Sequence, residues 1–146
     1  MTALRILIAD DERPAREYLK KLISKIDEVE VVGEAENGLD AADAIKALQP
    51  DLALLDLQMP ELTGLEVVKK VPEEKMPLFA FVTAFDDYAV QAFELNAIDY
   101  LLKPVDLARL RETITRASQR LETSDWRDVE RKRLEAATDT LENTSA

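Results

Sequence analysis

At 146 residues the chain has room for one domain and a short extension, and an apolar fraction of 47% is ample for a core. A formal net charge of −11 excludes a surface that grips nucleic-acid phosphates or anionic membranes unaided. With no cysteine and no histidine, disulfides, thiol catalysis, imidazole acid–base chemistry and His/Cys zinc sites are excluded, so any metal must be a hard cation held by oxygen.

Short apolar runs alternate with helical patterns along the chain. Leu4 to Ala9 reads as a strand buried on both faces. Pro14 stands where a first helical turn tolerates it, and Ala15, Leu19, Leu22, Ile23 and Ile26 follow at helical spacing. A second strand spans Val29 to Gly33. A turn at Asn37-Gly38 leads to a helix with Ala42, Ile45 and Leu48 on one face, stopped by Pro50. Leu52 to Leu55 is a third strand, ending at Asp56. A loop with Pro60 and Gly64 precedes a short helix bearing Leu65, Val68 and Val71. The fourth strand is Leu78 to Val82, a helix runs from about Asp87 to Leu95, and the fifth strand lies near Ile98 to Leu102. The last helix keeps Leu107, Leu110, Ile114, Ala117 and Leu121 on one face.

Five strands alternating with five helices imply an α/β fold, a doubly wound parallel sheet covered on both faces. The flavodoxin-like (βα)5 strand order 2-1-3-4-5 suits units of this size. The expected domain is 1-122. Residues 123-146 read as a linker or C-terminal helical extension, with Trp126 packing back on the domain. The chain enters its first strand without a basic leader, and no stretch approaches a membrane span. The expected location is cytoplasmic, with no membrane partner.

In an open α/β sheet, ligands bind outside the carboxyl ends of the strands, where strand order reverses. Here strand one ends in Asp10-Asp11, strand three in Asp56 and strand four in Thr83, while Lys103-Pro104 follows strand five. Each has an ordinary reading alone: Asp10, Asp11 or Glu12 as a helix cap, a threonine at a strand end, a surface lysine. At successive strand ends they form a set. Clustered carboxylates raise one another's pKa unless a cation shares the site, and an all-oxygen site with room for water suits Mg²⁺. A metal-binding acid, a free carboxylate nucleophile and further donors are what an aspartyl-phosphate requires.

The ordered motifs resemble the response regulator receiver family of two-component systems, from Leu4 to about Leu121. They are Asp10-Asp11, Leu55-Asp56-Leu57-Gln58-Met59-Pro60 with Gly64, Phe81-Val82-Thr83-Ala84, and Asp99-Tyr100-Leu101-Leu102-Lys103-Pro104. Ala9 stands where the family usually has a valine. The resemblance implies that Asp56 is the phospho-acceptor. It implies that Asp10, Asp11 and Asp56 hold Mg²⁺ with the Gln58 carbonyl, and that Lys103 binds the phosphoryl group ahead of a cis bond to Pro104. Thr83 would move toward the phosphoryl group and Tyr100 would swing inward as the switch. Gln58 and Phe85 would flank the phosphoryl group, Phe85 slowing attack by water.

The segment from Phe81 to Pro104 resembles receivers attached to LytTR-type DNA-binding domains. The expected function is therefore a phospho-accepting signalling domain, not an enzyme acting on a separate substrate. A sensor histidine kinase would be the donor. A homodimer through the face of the fourth helix, fifth strand and fifth helix would carry the output to transcription. DNA would be met only through an effector domain absent from this chain; the other form of the reading is a stand-alone receiver acting by protein contacts. An Mg²⁺-dependent phosphotransferase would need a cap over the site, and the loops are short for one. A flavodoxin-like cofactor module would need a phosphate loop where Asp10-Asp11-Glu12 repels phosphate. A degenerate dimerisation module would not need the acidic set.

Overall fold

The computed structural model describes residues 3–123. Its elements are β1 (Leu4–Ala9), α1 (Arg13–Ile23), β2 (Val29–Ala35), α2 (Gly38–Leu48), β3 (Leu52–Leu55), α3 (Gly64–Lys70), a 3-10 turn (Glu73–Lys75), β4 (Leu78–Thr83), α4 (Ala89–Glu94) and β5 (Asp99–Leu102). A fifth helix, α5, occupies residues 107–123. The strands pair in parallel in the order β2-β1-β3-β4-β5. This is the expected flavodoxin-like (βα)5 doubly wound fold, with helices on both faces. The extension expected beyond Thr123, including Trp126, lies outside the described residues. No helix among them is long and apolar enough to cross a membrane.

Strand geometry sends alternate side chains to opposite faces, and the apolar residues divide accordingly. Ile6 and Ile8 face α1 and α5, where they meet Leu19, Ile23, Leu110 and Ile114. Leu7 and Ala9 face the other way and pack with Ala42, Ile45, Val67 and Ala92 of α2, α3 and α4. Each such leucine or isoleucine side chain contributes roughly 1.5–3 kcal/mol when fully buried.

Local chemistry sets the helix boundaries. Asn37 is the N-cap of α2, its side chain accepting the Asp40 N–H at 2.8 Å, so the expected turn there is a helix start. That helix ends on Gln49 in the left-handed conformation, one residue before Pro50. Thr63 and Glu66 form a reciprocal capping box on α3. By contrast α4 is short. It begins at Ala89, two residues after Asp87, because Tyr88 at its N-cap offers no capping side chain, and it buries only Ala92.

The second strand runs two residues beyond Gly33, to Ala35. Its register with β1 shifts between Ile6 and Leu7: Ile6 faces Val31, but Leu7 faces Gly33. The extra residue is a bulge, and a one-residue offset reverses which face each later side chain takes. Glu34 is thereby paired with Ile8 and set on the α1 face.

Asp99 opens β5 nearly fully buried, with 2% of its surface exposed. Its carboxylate accepts two bonds from Arg109 at 2.6 and 2.7 Å and one from Thr113 at 2.8 Å, and meets Arg116 at 2.9 Å. The Tyr100 N–H adds a bond at 2.9 Å. Burial pushes this carboxyl up, but the bonds from Arg109, Thr113 and Tyr100 outweigh it and hold the group below its ordinary value. Such a carboxylate contributes stability above its unfolded pKa of about 4, and that stability is lost as pH falls through the lower folded value. Urea unfolding as a function of pH checks this. Asp99→Asn should unfold more easily by about 2 kcal/mol at pH 7, since it strips the arginines of their counter-charge. It should also lose less stability than the wild type on acidification below about pH 4. Parallel pH curves would contradict the assignment.

Candidate functional site

The site stands at the carboxyl edge of the sheet, where β1 and β3 diverge to helices on opposite faces. The two strands are in register, Ala9 beside Leu55, and the Asp56 N–H donates to the Ala9 carbonyl at 2.9 Å. Asp10 and Asp56 leave their strands side by side, 2% and 6% exposed, while Asp11 on the loop is exposed. Carboxylate oxygens of Asp10, Asp11 and Asp56 lie within 4.8 Å of one another.

Lys103 joins this cluster from the end of β5. Its backbone N–H donates to the Thr83 carbonyl at 2.8 Å, and the peptide bond to Pro104 is cis. Its ammonium donates to Asp10 Oδ2 at 2.6 Å and Asp56 Oδ2 at 2.9 Å. Burial pushes the Asp56 carboxyl up against the opposing pull of Lys103, and the neighbouring Asp10 adds to the rise. Burial would lower the Lys103 pKa, but its bonds to Asp10 and Asp56 prevail and hold it above its ordinary value. The ammonium therefore stays charged.

The loop after Asp56 is shaped by Gly64. A Cβ there would lie 2.4 Å from the Asp56 carbonyl oxygen, inside any tolerated contact. The Gly64 N–H donates to the Leu57 carbonyl at 3.0 Å, folding the loop after β3 back over itself. Met59 and Leu57 are buried beneath it.

The side chains of the remaining expected residues make no hydrogen bond to these carboxylates. Gln58 is exposed; its backbone N–H donates to Asp56 Oδ1 at 3.2 Å. Thr83 is fully buried, and its hydroxyl accepts a long 3.4 Å bond from the Phe85 N–H. Tyr100 is half-buried beside Phe81, its hydroxyl donating to the Phe85 carbonyl. Phe85 is 40% exposed and packs edge-on against Tyr88. No acid caps α1 through its side chain: Glu12 holds the N-cap position, and Asp10 instead accepts the Glu12 N–H at 2.9 Å.

Two groups lay outside the sequence reading. Arg16 donates to the Asp10 carbonyl at 2.7 Å, and its partner Glu34 lies on β2. The Arg109–Asp99 network is the other. Its signal is present in the chain, since Arg109, Thr113 and Arg116 share one helical face beside the apolar one.

The donor set fits a divalent hard cation. Three carboxylates face one ammonium, which leaves the cluster negative, every ligand atom is oxygen, and exposed Asp11 opens it to water. These residues match the response regulator receiver domain model over 6–115. An uncharacterized response regulatory protein of Yersinia pestis is 50% identical over 118 residues, 81% of this chain and 50% of that protein. The transcriptional regulatory protein BtsR of Escherichia coli (strain K12) is 44% identical over 122 residues, 84% of this chain and 51% of that one. The chain thus spans about half the length of the curated relatives it matches. The REC domain of AraT, a response regulator from Geobacillus stearothermophilus, superposes with a TM-score of 0.75 at 35% identity, covering 85% of this chain and 99% of that one.

Thermal unfolding with and without Mg²⁺ tests the fit. At ten times its dissociation constant, Mg²⁺ should stabilise the protein by about 1.4 kcal/mol. Asp11→Asn should lose most of that gain without loss of baseline stability, because Asp11 is exposed and supports no packing. Equal Mg²⁺ stabilisation of both proteins would rule Asp11 out as a ligand.

Proposed function

The chain belongs to the response regulator receiver family, and from that premise we propose that it takes a phosphoryl group onto Asp56 from a sensor histidine kinase. What supports this most is the shared ammonium: Lys103 already bridges Asp56 and Asp10 from a third strand end. In the transfer, an Asp56 carboxylate oxygen attacks phosphorus, the donor's P–N bond breaks, and the imidazole leaves with its electron pair. Lys103 is placed to neutralise a phosphoryl oxygen. The Gln58 N–H, 3.2 Å from Asp56 Oδ1, holds the carboxylate in orientation. Asp10, Asp11 and Asp56, with the Gln58 carbonyl, would hold Mg²⁺, which supplies positive charge against the phosphoryl oxygens. An apolar groove beside Lys103, lined by Pro14, Ala15, Tyr18, Leu19, Pro104 and Val105, offers a donor protein a surface next to the acceptor. The chain assists its own Mg²⁺-dependent phosphorylation and hydrolysis; no separate substrate is turned over.

Output follows from a biased pair of states. Thr83 is weakly held by its 3.4 Å bond, so a phosphoryl oxygen on Asp56 can draw its hydroxyl inward. Tyr100 then leaves Phe85 and turns into the space vacated. The face that changes is already apolar: Val90, Phe93 and Leu102 are 71%, 52% and 47% exposed on α4 and β5. A second copy of the chain covers it in the phosphorylated form. Transcription through a LytTR-type DNA-binding domain is the output, consistent with the Phe81 to Pro104 motif and with a relative that is a transcriptional regulatory protein. The location is the cytoplasm, where such kinases present their phosphoryl group.

Incubation with acetyl phosphate and Mg²⁺ tests the acceptor. Wild type should gain an alkali-labile phosphoryl group, and Asp56→Asn should gain none; labelling of the variant would remove Asp56 from the role. Sedimentation of the same samples tests the output face. Phosphorylated wild type should shift to dimer, whereas Phe93→Asp should be labelled equally yet stay monomeric. A dimeric Phe93→Asp protein would place the contact elsewhere.

A further inference from the structure

Arg16 sits on α1 with only 12% of its side chain exposed. Its Nη1 donates to the backbone carbonyl of Asp10 at 2.7 Å, and its Nε donates to Glu34 Oε1 at 3.2 Å. The other Glu34 oxygen accepts from Lys20 Nζ at 3.0 Å. Two cations of one helix thus hold one carboxylate of the edge strand. Glu34 reaches them only because the bulge in β2 turns it to the α1 face. Without that offset it would pair with Ala9 and point into the opposite core.

The carbonyl that Arg16 grips is the oxygen of the peptide joining Asp10 to Asp11. The preceding peptide is already fixed, its N–H on Asp10 donating to the Ala35 carbonyl at 3.0 Å. Among the described residues, the Asp11 carboxylate accepts no hydrogen bond. What the fold places is therefore the backbone from which Asp11 projects, and the Arg16 bond to the Asp10 carbonyl holds the peptide at that point. A planar fork suits this task, since Arg16 serves a carbonyl and a carboxylate at once from a rigid group.

We infer that Arg16, braced by Glu34, is a positioning residue for the cation site: it orients the Asp10–Asp11 peptide so that both carboxylates converge with Asp56. The inference rests on the Mg²⁺ reading above. It makes a prediction opposite to simple electrostatics. Arg16 carries positive charge close to the cluster, so if it acted by charge alone, its removal would tighten cation binding. If it positions ligands, removal weakens binding. Partners that orient metal ligands typically change affinity ten- to a hundredfold.

The test is calorimetric titration of the full chain with Mg²⁺, without phosphodonor. Arg16→Ala should bind about tenfold more weakly than wild type. Arg16→Lys, which keeps the charge but serves only one acceptor, should fall between them, and Glu34→Gln, which keeps an acceptor for Nε, should stay near wild type. With acetyl phosphate, Arg16→Ala should need more Mg²⁺ for half-maximal labelling yet approach the wild-type rate at saturation. Unchanged or tighter Mg²⁺ binding by folded Arg16→Ala overturns the inference. If Arg16→Ala fails to fold, Arg16→Lys decides, and wild-type affinity there overturns it equally. Failure of the wild type itself to bind Mg²⁺ would instead overturn the reading of the acidic cluster.

Discussion

Two buried carboxylates share one ammonium, and most of the architecture follows from keeping them together. Asp10 and Asp56 stand close enough to repel each other, and the Lys103 ammonium bonded to both offsets that repulsion. That lysine comes from a different strand, separated by β4. All the parallel strands must therefore end in step at one edge. The backbone bonds from Asp56 to Ala9 and from Lys103 to Thr83 enforce that alignment. Under the proposed function, a cation or phosphoryl group would enter a charge balance that the fold already maintains at short range.

The same device recurs at the other end of β5. Asp99 is buried like Asp10, and it too is neutralised from an element distant in sequence, here α5. Two opposed ionic anchors thus locate the last strand and its helix. Salt bridges of this kind add little net stability, but losing either partner strands a charge. They specify arrangement more than they strengthen it.

Much of this was readable from the chain because each apolar run sits between strong punctuation. β1 and β3 were read to the residue, since Asp10 and Asp56 end the apolar runs Ile6 to Ala9 and Leu52 to Leu55. The acidic cluster was readable because parallel topology dictates which strand ends meet. What escaped reading was register and pairing across space. The bulge beside Leu7 leaves no mark in a run such as Val29 to Ala35, where apolar and polar residues already alternate irregularly. With it went Glu34 and Arg16, whose partnership depends on which face the strand presents. Likewise α4 is shorter than the expected Asp87 to Leu95, since Val90 and Phe93 on it face solvent and only Ala92 is buried. A burial pattern inferred from composition cannot separate a core face from an exposed apolar one.

The slight hold on α4 has a mechanical consequence. It has a single buried side chain, no capping side chain and six residues, whereas α5 is riveted to β5 through Asp99. Elements with little buried area lie at the low end of local stability. The domain is then compliant on one flank and stiff on the other. Thr83 ends β4 and the segment through Phe85 leads directly into the compliant flank, so under the proposed switch a displacement begun at the carboxyl edge would fall first on α4. The direction of the proposed switch would then come from uneven bracing.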